Sequence, residues 1–129
     1  MRLSPETVER LSPFVPEQDL RRVRAVTSAP GSWLPALFGM SATTVAPFVC
    51  FRGGKFDPCT PRGLALIAHE AHHLRQVREM GWLGFYTRYF SGQFRCGFRH
   101  ASHALEVPAI EVQRLTREAL DALRPIGPR

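Results

Sequence analysis

No low-complexity tract and no internal repeat interrupts this chain, so neither a solenoid nor general disorder fits it. It also lacks a long hydrophobic run. Residues Thr27–Phe51 carry no charge, but Pro30, Gly31, Pro35, Gly39, Ser41, Thr43, Thr44 and Pro47 break the stretch, which reads as loop and strand rather than a membrane span. The opening MRLSPETVERLSPFVP has acids and prolines where an export signal needs an apolar core, and the expectation is a cytoplasmic chain. Cysteine is scarce: Cys50, Cys59 and Cys96 form no CxxC pair, and their odd number points to free thiols, expected to be buried or half-buried. Lysine is scarcer still, so the 17 basic residues are nearly all arginines and leave a net charge of +6 against 11 acids. That charge favours acidic partners. No zinc-knuckle, RRM or helix-turn-helix pattern accompanies it, and the basic residues do not cluster with aromatics in the way a single-strand binder needs, so a nucleic-acid partner is not expected.

What is present suits one globular domain over residues 1–129. An apolar fraction of 44% and a charged fraction of 22% are near globular averages, and 129 residues leave too little apolar surface for a second core. Ser4 as cap and Pro5 at the first position predict a short helix over Ser4–Leu11. LRRVRAVT at Leu20–Thr27 fits a strand or a helix end, and TTVAPFVCF at Thr43–Phe51 reads as one strand, held to a sheet edge because Pro47 has no N–H to donate; Gly53-Gly54 then turns the chain. Thr60 as cap, Pro61 after it and Gly81 as left-handed terminator predict a helix over Pro61–Met80, with Leu64, Ile67, Ala71 and Leu74 as its buried stripe. A short aromatic helix over Trp82–Phe90, a loop over Ser91–Ala101 and a last helix over Leu105–Leu123 complete the expectation.

The chemistry sits on the central helix. His69 and His73 are four residues apart, turned about 40° from each other on one face, so two imidazoles reach one ion. Glu70 lies about 100° round from His69; it does not complete that chelate but reaches a water beside the ion, which makes it the candidate general base. All five histidines fall between His69 and His103. His72 points away and is expected to be exposed or supporting. His100, His103, Tyr86 and Tyr89 are candidates to steady an oxyanion, although surface or packing roles are the ordinary ones. Cys96, His100 and His103 form a C-x3-H-x2-H cluster, a rival zinc site without a matching second pair.

These features resemble the gluzincins, in which HExxH is followed downstream by a glutamate that supplies the third zinc ligand from another helix. LALIAHEAHHLRQ resembles the HExxH helix of small bacterial zincin-like domains of unknown function, Gly81-Trp82-Leu83-Gly84-Phe85 with Arg88-Tyr89 their glycine-aromatic segment, and HALEVPAIE their H-x-L-E-x-x-A stretch. The resemblance spans roughly Gly53 to Leu115 and implies that Glu106 is the third ligand, with Glu111 and the Cys96 cluster as competitors. Two departures stand out. The acid that often orients a zinc histidine is missing from Glu106-Val107-Pro108-Ala109-Ile110, so Glu111 or another group must serve; and Pro108 requires the last helix to start near Leu105 or Glu106. The implied fold is α+β and zincin-like: a small sheet against the HExxH helix, with the C-terminal helix closing the site. The implied activity is zinc-dependent hydrolysis of peptide bonds in a peptide or protein substrate, one Zn2+ per chain held by His69, His73 and Glu106, with Glu70 as base; an extended substrate would add to the sheet edge. The alternative is a non-catalytic module in which the same ligands clip the fold together for interaction or regulation.

Overall fold

The computed structural model describes residues 1–37, 40–95 and 103–123. Among these residues six helices and three strands follow in the order α1 (Pro5–Leu11), α2 (Glu17–Arg22), β1 (Arg24–Val26), α3 (Trp33–Leu37), β2 (Ala42–Val45), β3 (Phe48–Phe51), α4 (Pro61–Met80), α5 (Trp82–Arg95) and α6 (Glu106–Ala122). This is the expected small α+β architecture. The ambiguous Leu20–Thr27 segment is both of its readings in succession, the end of α2 and then β1.

The expected single strand over Thr43–Phe51 is instead two strands of a hairpin. Ala46-Pro47 reverses the chain, so β2 and β3 pair antiparallel with Thr44 opposite Val49 and Val45 opposite Phe48, while β1 joins the far side of β3 in parallel. Pro47 thus sits in the turn, where its missing N–H interrupts no ladder. β3 is central, and Val49, Cys50 and Phe51 are buried accordingly. Both sheet edges are covered. At β1, the Met1 ammonium and carbonyl bond the Ala25 carbonyl and N–H; at β2, a tyrosine of α5 does so.

Helix α4 forms where its signals place it. Thr60 Oγ1 accepts from the Gly63 N–H at 3.0 Å and donates to Asp57, whose other carboxylate oxygen accepts from Cys59 N–H. A side chain at Gly63 would overlap the Asp57 carbonyl, so only glycine lets this loop lie on the first turn. At the other end Gly81 has positive φ (+78°), as expected, but its ψ of 156° is extended rather than left-handed helical, and it redirects the chain straight into α5. The stripe Leu64, Ile67, Ala71 and Leu74 is buried against the sheet and α1–α2. The opposite, polar side of α4 is buried too, under α5 and α6, and that second burial makes the site. None of the described helices is long and apolar enough to cross a membrane.

Helix α5 continues to Arg95, five residues beyond the expected Phe90. Its Gly92, read as a loop residue, is instead a close approach: a Cβ there would lie 2.6 Å from the His103 imidazole. Residues 96–101 of the expected loop lie outside the described residues. Helix α6 begins at Glu106 with Leu105 as its cap residue, so Pro108 falls in the first turn, where its missing N–H is harmless.

Candidate metal centre

Two helices bring three donors together. His69 and His73, one turn apart on α4, aim their Nε2 atoms at the same oxygen of Glu106, the first residue of α6, at 3.0 and 2.8 Å. The three ligand atoms lie within 4.8 Å of one another, and the residues are 4%, 4% and 1% exposed. Two imidazoles crowding one carboxylate oxygen in a dry interior need a positive charge among them, either a proton or an ion. His73 is the imidazole whose charged form the surroundings favour. Burial opposes its charged form, but the Glu106 hydrogen bond and the Glu70 and Glu106 charges, with help from Gln76, outweigh burial and raise its pKa. The three donor atoms converge within 4.8 Å, and two imidazoles with one carboxylate are a metal-ligand set, so the residues present fit an ion.

The groups that orient these donors are side chains the sequence reading did not single out for that work. His73 Nδ1 donates to Gln76 Oε1 at 2.8 Å, and Gln76 Nε2 donates to the Leu105 carbonyl at 3.0 Å. This pair orients the His73 ring with Nε2 facing Glu106 and ties α4 to the cap of α6. Gln76 therefore fills the role of the missing acid. Its sequence signal was the position three residues after His73, on the same helix face. Glu111, the other contender, is exposed and bonded to Arg114, whose hydrogen bond and charge lower its pKa. Tyr89 donates to the second oxygen of Glu106 at 2.7 Å, presenting the first to the imidazoles.

Glu70 is buried beside the donors but turned from them toward the sheet, where Thr44 Oγ1 of β2 donates to its Oε2 at 2.8 Å. One carboxylate oxygen is thereby held in place from the sheet. Glu70, His73 and Glu106 share the wall of a cavity of about 270 Å3 whose remaining lining includes Leu34, Met40, Val45, Phe85 and Tyr86. Such a mixture, apolar walls with a few convergent polar groups, is typical of a ligand site.

The oxyanion candidates among the described residues are occupied elsewhere. Tyr89 is bound to Glu106; the Tyr86 hydroxyl bonds Thr44 and Ala46 on the β2 main chain. His103 is buried, its Nε2 donating to the Tyr89 carbonyl at 2.6 Å and its Nδ1 accepting from Leu105 N–H at 3.0 Å, so it fixes the approach to α6 rather than facing the donors. That arrangement also removes His103 from the rival C-x3-H-x2-H cluster. Cys96 and His100 lie outside the described residues. His72 is half-buried, and burial followed by the neighbouring His73 and Arg75 lowers its pKa to about 4. Of the expected buried or half-buried thiols, Cys50 is buried, its pKa raised by burial and by Glu70; Cys59 is exposed instead, on the turn before α4.

No curated protein and no solved structure matches the chain. The family model of the eCIS core domain matches residues 2–81, from the strand-capping N-terminus through the whole HExxH helix. That span is more than half of the sequence, and the chain belongs to the eCIS core domain family.

Proposed function

We propose that this chain is a zinc-dependent peptidase centred on His69, His73 and Glu106, with Glu70 as the proton carrier. The observation that supports it best is the shared cavity: His73 and Glu106 of the donor triad and the Glu70 carboxylate held by Thr44 line one space large enough for a substrate side chain. Zinc suits two imidazoles and one carboxylate, and when bound it supplies a Lewis acid that acidifies water and polarises a carbonyl. Glu70, fixed through Oε2, accepts the proton of the attacking water and passes it to the leaving amine. Gln76 and Tyr89 hold His73 and Glu106 in the inward-facing arrangement that ligation needs.

The depth of the triad, at most 4% exposed, favours the second reading, a zinc clip that only ties α4 to α6. One experiment separates the two. About one zinc per chain is expected by elemental analysis, and Glu70→Gln should keep that zinc while losing at least ~100-fold in hydrolysis of casein or a mixed peptide library. A wild type that holds zinc but cleaves nothing across broad libraries leaves the clip; a wild type that takes no zinc defeats both.

A further inference from the structure

We propose that the Tyr86 hydroxyl is a plug: on the peptidase reading an extended substrate pairs with the outer edge of β2 opposite Val45, and this hydroxyl keeps that edge closed until a peptide takes over both of its hydrogen bonds. The Tyr86 hydroxyl donates to the Thr44 carbonyl at 2.9 Å and accepts from the Ala46 N–H at 2.9 Å. These are the two groups, one on each side of Val45, that a neighbouring strand would bond, whichever way it runs. A single phenol oxygen, donor and acceptor at once, imitates that strand. At the opposite edge of the sheet the cover is real main chain, the Met1–Arg2 segment on β1, so this sheet does accept strand-like partners at its margins.

The place of the plug gives it meaning. It rests for its location on the peptidase reading: Thr44, which contributes the bonded carbonyl, also holds Glu70 with its side chain, and Tyr86, Val45, Glu70, His73 and Glu106 all line the same cavity. A peptide pairing opposite Val45 passes the proton carrier and presents alternate side chains to walls formed by Leu34, Met40, Phe85 and Phe90, so its best occupant carries a large apolar residue there. The ring can leave without opening the core. Tyr86 is half-buried: it meets the buried Phe85 edge to face, and its tilted neighbour Trp82, 4.7 Å away between centroids, is exposed.

The test is equilibrium binding of a capped hexapeptide of serine, alanine, leucine and phenylalanine to zinc-loaded protein in the Glu70→Gln background, which prevents turnover. Adding Tyr86→Phe removes the competing hydroxyl and keeps the ring; affinity should rise roughly fivefold to fiftyfold, and the gain should vanish for a peptide N-methylated at its central residues. Equal or weaker binding by a Tyr86→Phe protein with unchanged far-UV circular dichroism overturns the proposal. Should that variant fail to fold, the unsubstituted-Tyr86 protein decides: its Tyr86 ring resonances should shift saturably with peptide while the Ala46 amide stays protected from exchange, and resonances unmoved at saturation overturn it. Failure of the peptidase reading looks different, with the binding difference intact and no hydrolysis by wild type.

Discussion

At the scale of single residues, the site consists of donors that cannot be at ease alone. Glu106 Oε1 receives two imidazole nitrogens, and its other oxygen is already taken by Tyr89. What decides whether His73 offers a lone pair is the group on its far nitrogen. Gln76 accepts there through its amide oxygen and cannot flip, because its amide nitrogen is spent on the Leu105 carbonyl. Replacing it with methionine keeps the volume and the helix but releases the imidazole tautomer and strands a buried carbonyl. Zinc affinity is expected to fall about 10- to 100-fold, read by competition with a chromogenic chelator, with the helix content unchanged. Affinity equal to wild type would show that the Gln76 bonds merely tie helices together.

At the scale of elements, α4 was almost wholly legible. Cap, first-turn proline, terminal glycine, apolar stripe and HExxH all lie within one continuous stretch, and local chemistry governs each. The hairpin was not legible, since Ala46-Pro47 carries none of the Asn-Gly or Gly-rich signals of a tight turn, and its apolar neighbours read as one unbroken strand. The length of α5 was hidden for a related reason. Gly92 speaks for a loop in isolation, and only the imidazole of His103 against it explains a glycine in the helix. Thr44 and Gln76 escaped notice because their roles exist only once β2 and α6 are brought onto α4. The start of α6 was readable from Pro108, which places Glu106 at the helix mouth, while its assignment as the third donor came from the resemblance. Glu106 is buried in the first turn, whereas Glu111 is five residues on and paired with Arg114 in solvent. Glu106→Ala should therefore cost more zinc affinity than the ~100-fold upper range of an orienting group, and Glu111→Ala almost none. A chelator titration that ranked Glu111→Ala as the more damaging would dismiss Glu106 as a ligand, whatever became of the two histidines.

For the molecule as a whole, the triad is a bond between two layers. One side of α4 rests on the sheet and the N-terminal helices, and the other is held by α5 and α6, with His69 and His73 reaching across to Glu106. An ion there binds the folded chain far better than the unfolded one and so raises stability by mass action, about 2.7 kcal/mol at a hundredfold excess over its Kd. For a chain of 129 residues this corresponds to a rise of roughly 10 °C in Tm. The rise should depend on pH with a definite sign. Because the pKa of His73 in the ion-free protein is raised, chiefly by Glu106 against the opposing effect of burial, the proton-bridged pair stabilises that form fully below the ordinary imidazole pKa. That contribution is lost as pH rises through the elevated value. Protons also compete with zinc for both imidazoles at low pH. Both effects act in the same direction, so the zinc-induced increase in Tm is expected to be large at pH 8 and small at pH 6, and to disappear at either pH in Glu106→Ala. Calorimetry with and without zinc at the two pH values measures it. A shift that grew on acidification would mean that zinc is held by groups other than these three.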